Sequence, residues 1–337
     1  MTTLRDIALI AGVSGATVSN VLRNRGFVGA ETSARVREVA QRLGYRPNPM
    51  AQALANGRAP TIAMVFSDLA NPFYSMFALE AERAARRRDH FLLVCHAAKP
   101  DGTLDTAYLG AVAGRLSGGV LILGSDLGRA DLLSAVPNGV PTVLAMWEDA
   151  ADHPSLPCVT LDFREAGRLA ADHLLALGHR RIAVLAGARG DRVSHGARLE
   201  GATARLREAG VLGGATLEED SIGGGHRAAM RLLEAEPRPT AILATNDLLG
   251  IGAIQAAGER GLAVPRELSV VGITDIWLAA EMRPALTTVD IDTRRIADAS
   301  VNALLDLIAE PDALARDALR IVGRPSLVRR ASTAQAP

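Results

Sequence analysis

A chain of 337 residues, 48 % hydrophobic and 22 % charged, can bury more than one core, which excludes an intrinsically disordered chain and a disulfide-stapled miniature. Its formal net charge is zero, so as a whole it is no polyelectrolyte. The charge is unevenly spread: residues 1–58 hold eight Arg (Arg5, Arg23, Arg25, Arg35, Arg37, Arg42, Arg46, Arg58) against Asp6, Glu31 and Glu38, a net +5, and the remainder holds 29 basic and 34 acidic residues, a net −5.

A basic head on a slightly acidic body suggests that the head alone meets a polyanion. Three short helices fit residues 4–46. "LRDIALIAG" sets Leu4, Ile7, Ala8 and Ala11 on one face and stops at Gly12. "SGATVSNVL" turns Val18, Val21 and Leu22 inward, with Ser14 placed to cap its start. "ETSARVREVAQRLG" gathers Ala34, Val36, Val39, Ala40 and Leu43 and ends at Gly44. Two helices joined by a short glycine-containing turn, with a third closing the core, form a helix-turn-helix. In "RPNPMAQALANGRAP", Asn48 can cap, Pro49 suits the first helical position and Gly57 the exit. A helix of about two turns is marginal alone, so residues 47–59 read as linker when free and helix when held.

From Thr61 the rhythm changes. "TIAMVFSD" reads as a strand, 73–88 as helix, "HFLLVCHA" as strand, 103–116 as helix, and "GGVLIL" and "PTVLAMW" as strands. The pattern restarts with helix over 164–177, strand "RIAVLAG" and helix "ARLEGATARLREAG". It ends on "TAILATND", helix over 248–260 and "LSVVGITD". This is α/β layering with parallel sheets, run twice, and ligands of such sheets bind at the carboxyl ends of strands. Cys95 and Cys158 stand in apolar strands without CxxC spacing and read as buried, reduced thiols. Met1-Thr-Thr-Leu-Arg-Asp runs straight into a helix, and the longest apolar runs are strand length. A soluble, cytoplasmic protein is expected.

Seven stretches occur in order: "LRDIALIAGVSGATVSNVL", "GYRPNPMAQAL", "SDLANPF", "LLALGHRRIAVLAG", "RPTAILATNDLLGIGAI", "VPRELSVVGITD" and "RPALTTVDID". Together they make the chain resemble transcriptional regulators of the lac/gal repressor family from Thr3 to "VRRAST". The resemblance implies three parts: a helix-turn-helix head over 1–46, a hinge over 47–59, and over 60–337 a two-lobed, periplasmic-binding-protein-like α/β effector and dimerisation domain.

For the head, the family pattern puts Ser14–Asn20 into the major groove with base reading at Gly15, Ala16 and Asn20. Gly15 and Ala16 offer almost no side chain, whereas Asn20 can bond an adenine edge bidentately. Thr17 and Ser19 suit phosphate, and Tyr45 is implied as a further DNA contact. Leu54 matches the hinge residue that wedges into the minor groove. Gln52 stands where the family commonly has Arg, and Arg23 where it commonly has Asn.

In the body, the resemblance assigns effector contacts to Phe73, Tyr74, Ser125, Trp147, Asp162, Arg198, Asn246 and Thr274. Thr274 replaces a family acid, and Leu161-Asp162-Phe163 replaces "VDN", which points to a less polyhydroxylated or modified effector. The implied partners are a palindromic duplex operator, a small-molecule effector and a second copy of the chain. No metal, cofactor or catalytic residue is implied. The seven His form no HExxH, "IGGGHRA" lacks a following Lys-Ser/Thr and reads as a turn before a helix, and "RVSHG" is no nucleophile elbow. The competing reading is a stand-alone small-molecule sensor without operator specificity.

Overall fold

The computed structural model describes residues 3–22, 26–45, 60–66, 68–97, 105–123, 139–148, 155–189, 192–311 and 318–337. The hinge with Gln52 and Leu54, and also Arg23 and Ser125, lie outside them. The chain divides into two compact units, Met1–Pro60 and Thr61–Pro337, each described by itself.

In the first unit, helices α1 (Leu4–Ala11), α2 (Gly15–Leu22) and α3 (Ala30–Arg42) close on a core of Ile7, Ala8, Ala11, Val18, Val21, Val36, Val39 and Ala40. Local chemistry fixes their ends. Thr3 and Asp6 form a reciprocal capping box at the start of α1, and Gly12, at φ 65°, ends it in the left-handed conformation. The Thr17 amide donates to Ser14 Oγ at 3.1 Å, capping α2. Arg35 Nε donates to the Ala11 carbonyl at 3.1 Å and fastens α3 to the turn.

The second unit holds two sheets. Lobe 1 carries six parallel strands in the order β12-β5-β4-β3-β1-β2. These are β1 (Thr61–Phe66), β2 (Phe91–His96), β3 (Val120–Leu123), β4 (Thr142–Ala145), β5 (Cys158–Thr160) and β12 (Leu319–Ile321). In lobe 2, β6 (Ile182–Arg189), β8 (Leu212–Glu219), β9 (Ala241–Ala244), β10 (Ser269–Thr274) and β11 (Thr287–Asp290) run parallel. Short antiparallel strands β7 (Arg192–Val193) and β13 (Ser326–Val328) are added to β6 and β11. The lobe 1 strand β1 is buried throughout, as are β9 and β10 of lobe 2, as expected of sheets covered on both faces. The chain passes between the sheets three times: after β5, after β11 and between β12 and β13.

Helix α4 (Pro72–Arg87) follows β1, with Asn71 Oδ1 accepting from the Phe73 amide at 3.0 Å. Of residues 103–116, read as one helix, the described part from 105 on forms α5 (Thr106–Ala111) followed by a π-helical turn, Val112–Leu116. Around the lobe 2 sheet lie α6 (Phe163–Ala176), α7 (Gly196–Glu208), α8 (Ile222–Leu232), α9 (Asp247–Glu259) and α10 (Trp277–Glu281). The last helix, α11 (Thr293–Ala309), returns to lobe 1 and clamps α4, where Arg87 pairs with Asp298 and Arg88 with Asp306. The glycine run at 223–225, read as a turn, lies inside α8, which Ser221 caps.

The glycines are there because backbones touch. A methyl on Gly225 would sit 2.3 Å from the Leu249 carbonyl oxygen, and one on Gly252 would sit 2.1 Å from that of Ile222. The α6–α7 crossing uses the same device at Gly167 and Gly201. The carboxyl-terminal segment closes lobe 2 on buried His179, whose Nε2 donates to the Ala334 carbonyl at 3.1 Å, leaving Nδ1 to accept from Thr240 Oγ1 at 3.0 Å. Among the described residues no helix is long and apolar enough to cross a membrane.

One helix therefore holds two glycines of opposite character. A methyl on Gly258 would meet nothing within 4 Å, so Gly258→Ala should stabilise the protein by roughly 0.5–1 kcal/mol through lost unfolded-state freedom. Gly252→Ala should cost about 1–3 kcal/mol or more by overpacking. Denaturant midpoints of the two variants should move in opposite directions.

Candidate functional site

Two surfaces carry the residues with chemistry to offer. On the head, Ser14, Gly15, Ala16 and Asn20 are exposed along one side of α2, and Thr17 and Ser19 are half-buried beside them. Nothing stands within 4 Å of where a Gly15 side chain would begin. Asn20 is the long polar side chain on this face, next to Gly26. Tyr45 is half-buried against the head core.

The second surface is the space between the lobes, about 500 Å³ counting its open mouth. Each described lining residue comes from the carboxyl end of a strand or the helix start that follows it. Lobe 1 contributes Asn71, Phe73 and Tyr74 after β1, and Met146 and Glu148 after β4. Lobe 2 contributes His195 and Arg198 at the start of α7 and Asp220 after β8. Asn246, Asp247 and Leu248 follow β9, and Thr274 and Ile276 follow β10. Phe73 and Tyr74 meet edge-on, and Tyr74 stacks on Phe66 at 5.3 Å.

Arg198 is the centre of this arrangement. Its side chain is 7 % exposed, and Nε stands 2.8 Å from Oε1 of Glu148, itself 5 % exposed. Nη1 donates to the Thr245 carbonyl at 3.0 Å and to Thr274 Oγ1 at 3.2 Å. The guanidinium carbon lies 4.8 Å from the Phe163 ring centroid, a cation–π contact. Glu148 follows β4 in lobe 1 and Arg198 belongs to α7 in lobe 2, so the pair spans the cleft.

Beside it, Asp220 accepts from Asn246 Nδ2 and stands 3.5 Å from His195 Nε2. Burial, then the nearby charge of Arg198, holds the His195 imidazole well below the ordinary histidine value and therefore neutral. Asp247 is pushed up to about 6 by burial, although Thr288 Oγ1 (2.5 Å) and the Ile276 amide (2.9 Å) donate to it. Gly272 makes its seat possible, since a methyl there would stand 2.2 Å from Asp247 Oδ1. Met146 (φ 63°) and Thr274 (φ 140°) hold backbone conformations that side chains rarely adopt. Such strain persists where packing over-determines it and collects at binding sites.

Of the residues singled out in the sequence, Phe73, Tyr74, Arg198, Asn246 and Thr274 come together in the cleft. Two others are occupied elsewhere. Trp147 is 6 % exposed and packs in the lobe 1 core. Asp162 caps α6, accepting from the Glu165 amide at 3.0 Å. Thr274 does not leave the cleft poor in carboxylate, because Glu148, Asp220 and Asp247 all line it. Sequence reasoning passed over these three acids along with Asn71, Met146 and His195. Of these, Asn71 inside "SDLANPF" and Asp247 inside "TND" stand in stretches that carry the resemblance. Asp275 turns to Arg330 of the carboxyl-terminal segment, at 2.6 Å.

A profile of "Bacterial regulatory proteins, lacI family" matches residues 3–48, and one of a "Periplasmic binding protein-like domain" matches residues 171–333. The transcriptional regulator DegA of Bacillus subtilis is 35 % identical over 86 % of this chain and 86 % of its own. The ribose operon repressor of Escherichia coli is 30 % identical over 92 % and 94 %. The solved structure of the Lac repressor dimer bound to operator and the anti-inducer ONPF superposes over 99 % of both chains. Its TM-score is 0.86 at 28 % identity.

The geometry around Asp247 yields a test. Thr288→Val removes a donor that favours the charged carboxylate, so the Asp247 midpoint should rise above its value of about 6. Carboxyl-carbon NMR titration measures it, and an unchanged or lowered midpoint contradicts the assignment.

Proposed function

From the premise that the chain belongs to the lacI family of bacterial regulatory proteins, and so is a DNA-binding transcriptional regulator, we propose that it is a repressor whose operator affinity a small molecule between its lobes controls. The observation that carries this reading is the match over the full length of both chains to a repressor dimer holding operator and a small ligand together. In this reading the protein works in the cytoplasm as a homodimer, without catalysis. Residues 1–46 form the head, 47–59 the hinge and 60–337 the effector and dimerisation domain. The effector is a sugar or related metabolite.

The mechanism follows from the two-part design. The two heads of a dimer engage the halves of a palindrome. Asn20 reads an adenine edge, Ser14, Thr17, Ser19 and Tyr45 support the backbone contacts, and Gly15 and Ala16 let the helix lie close. Because α2 offers so few base-reading side chains, the remaining discrimination falls to Leu54, wedged into an easily unstacked central step. In the body, Phe73, Tyr74, Arg198, Asn246 and Thr274 hold the effector. Its binding changes how the lobes meet and so orders or melts the hinge. One bistable element then couples the two sites, and by linkage operator and effector alter each other's affinity reciprocally.

Selection of bound fragments from random duplex DNA should yield a palindrome with a flexible centre. Leu54→Ala should lose the preference at the centre. Asn20→Ala should lose discrimination at one A·T pair per half-site, worth roughly 1–3 kcal/mol. Removing residues 1–58 should abolish DNA binding and leave ligand binding intact. No enriched sequence from a folded dimer would favour the stand-alone sensor.

A further inference from the structure

Asp247 is the first residue of α9 and is 1 % exposed. Its two carboxylate oxygens face different partners. Oδ1 accepts from the Thr288 hydroxyl on β11 at 2.5 Å, and Oδ2 accepts from the Ile276 amide at 2.9 Å. Ile276 belongs to a tight turn over 274–277, in which Thr274 (φ 140°) and Asp275 (φ 56°) both hold strained backbone. The same turn reaches across the cleft. Thr274 Oγ1 accepts from Arg198 Nη1 at 3.2 Å, and the Trp277 amide of lobe 2 donates to Met76 Sδ of lobe 1 at 3.3 Å. On its other side Asp275 pairs with Arg330 at 2.6 Å.

The two partners of Asp247 respond differently to a proton. An ionised carboxylate accepts at both oxygens, whereas a protonated one keeps an acceptor oxygen and turns the other into a donor. The Thr288 hydroxyl can rotate and accept that proton. The Ile276 amide can only donate, so it stays on Oδ2, and its bond falls from charge-assisted to neutral, roughly half the strength. Protonation thus weakens the tie to the turn and spares the tie to the strand. Both charge states are within reach. Burial pushes this carboxyl up to about 6, with Thr288, Ile276 and Arg198 opposing the rise and Asp275 adding to it. Among the described residues, the other ionisable groups around it are Arg198 and neutral His195 on α7, Asp220 after β8, Glu148 across the cleft, and Asp275 with Arg330. Asp290, at the end of β11, is itself pushed up by burial. On α8, packed against α9, His226 faces Glu259 at the far end of that helix.

We propose that Asp247 is a positioning residue of the cleft: its ionised carboxylate fastens the 274–277 turn through the Ile276 amide, and its protonation loosens that turn and with it the Thr274–Arg198 and Trp277–Met76 contacts. The Trp277–Met76 contact between the lobes is then proton-linked, firmer above the Asp247 midpoint and weaker below it. The sign follows from the donors. The held turn gives the carboxylate one more donor than the released turn does, so the held state binds the proton less tightly. The consequence for effector affinity rests on the reading of the cleft as the effector site. The positioning of the turn does not.

The test reads the turn directly in the full chain. Amide hydrogen exchange of Ile276, corrected for the intrinsic pH dependence of exchange, gives its protection between pH 5 and pH 7.5. In wild type the protection should rise roughly fivefold or more with pH, following the Asp247 titration. The Val271 amide, in the buried strand β10, should show no such rise, which separates the turn from global stability. Asp247→Asn is a neutral isostere whose amide oxygen can accept from Ile276 and whose NH2 can donate to Thr288. In that variant the Ile276 protection should be low and independent of pH. A flat Ile276 profile in wild type overturns the proposal, as does an equal rise in Asp247→Asn. Thr288→Val gives a decision even if the Asn variant fails to fold: the rise should move to higher pH, and an unmoved rise overturns the proposal.

A second readout follows the contact with lobe 1. Trp277 is 57 % exposed and Trp147 is 6 % exposed, so quenching of tryptophan emission by acrylamide reports mainly on Trp277. Quenching of wild type should increase as pH falls through the Asp247 midpoint, and that of Asp247→Asn should stay high throughout. Unchanged quenching while Ile276 loses protection overturns the link from the turn to lobe 1. A chain that binds no small molecule between its lobes would remove the effector reading and leave both of these results standing.

Discussion

The ion pair between Glu148 and Arg198 is the contact on which the two-lobed body turns. Both side chains are buried, and they come from opposite lobes. Taking two charges out of water is expensive, and attraction offsets the cost only where geometry is good and the remaining hydrogen-bonding groups are served. Here the Thr245 carbonyl and the Thr274 hydroxyl serve Nη1, and the Phe163 ring covers a face of the guanidinium, while the Nε–Oε1 approach at 2.8 Å is an ion pair without hydrogen-bond alignment. The pair is thus less a source of raw stability than a constraint on how the lobes can meet.

Several features remote in sequence exist to hold that contact. Arg198 projects from a helix whose position is set by backbone against backbone: a methyl on Gly167 would stand 2.0 Å from the Arg198 carbonyl oxygen. Phe163 comes from the helix on the other side of the same crossing. Thr274 reaches Nη1 from a backbone at φ 140°, on a strand end that Gly272 and Asp247 fit together. The acid of lobe 1 follows directly on Trp147, anchored in its own core. At position 274 the group that meets Arg198 is a hydroxyl, and the carboxylate beside the arginine, Glu148, comes from the opposite lobe.

The legibility of the chain followed the range of the interactions. Head helices, capping by Ser14, and the alternation of strands and helices rest on residues a few positions apart, and they were readable. Phe73, Tyr74, Arg198, Asn246 and Thr274, named through a resemblance carried by local motifs, lie together along one cleft. Glu148 was not readable, because its partner lies fifty positions on and no spacing announces a pair that only the fold brings together. Asp162 and Trp147 stand in ligand-like contexts of the sequence, and in the fold one caps a helix and the other packs in the core of lobe 1. The run at Gly223–Gly225 looked like a turn because glycine weakens helices. Close crossing of two helices there outweighs that propensity. The three carboxylates of the cleft come from three separate segments, so their common location is a property of topology alone.

A double-mutant cycle across the pair tests the account at its centre. Unfolding free energies would be measured for wild type, Glu148→Gln, Arg198→Met and the double variant. If the pair ties the lobes as described, each single change leaves a buried group without its partner and costs about 3–5 kcal/mol, while the double variant recovers much of the loss. Losses that simply add in the double variant would mean that the two side chains do not depend on each other, and the cleft would have to be held by something else.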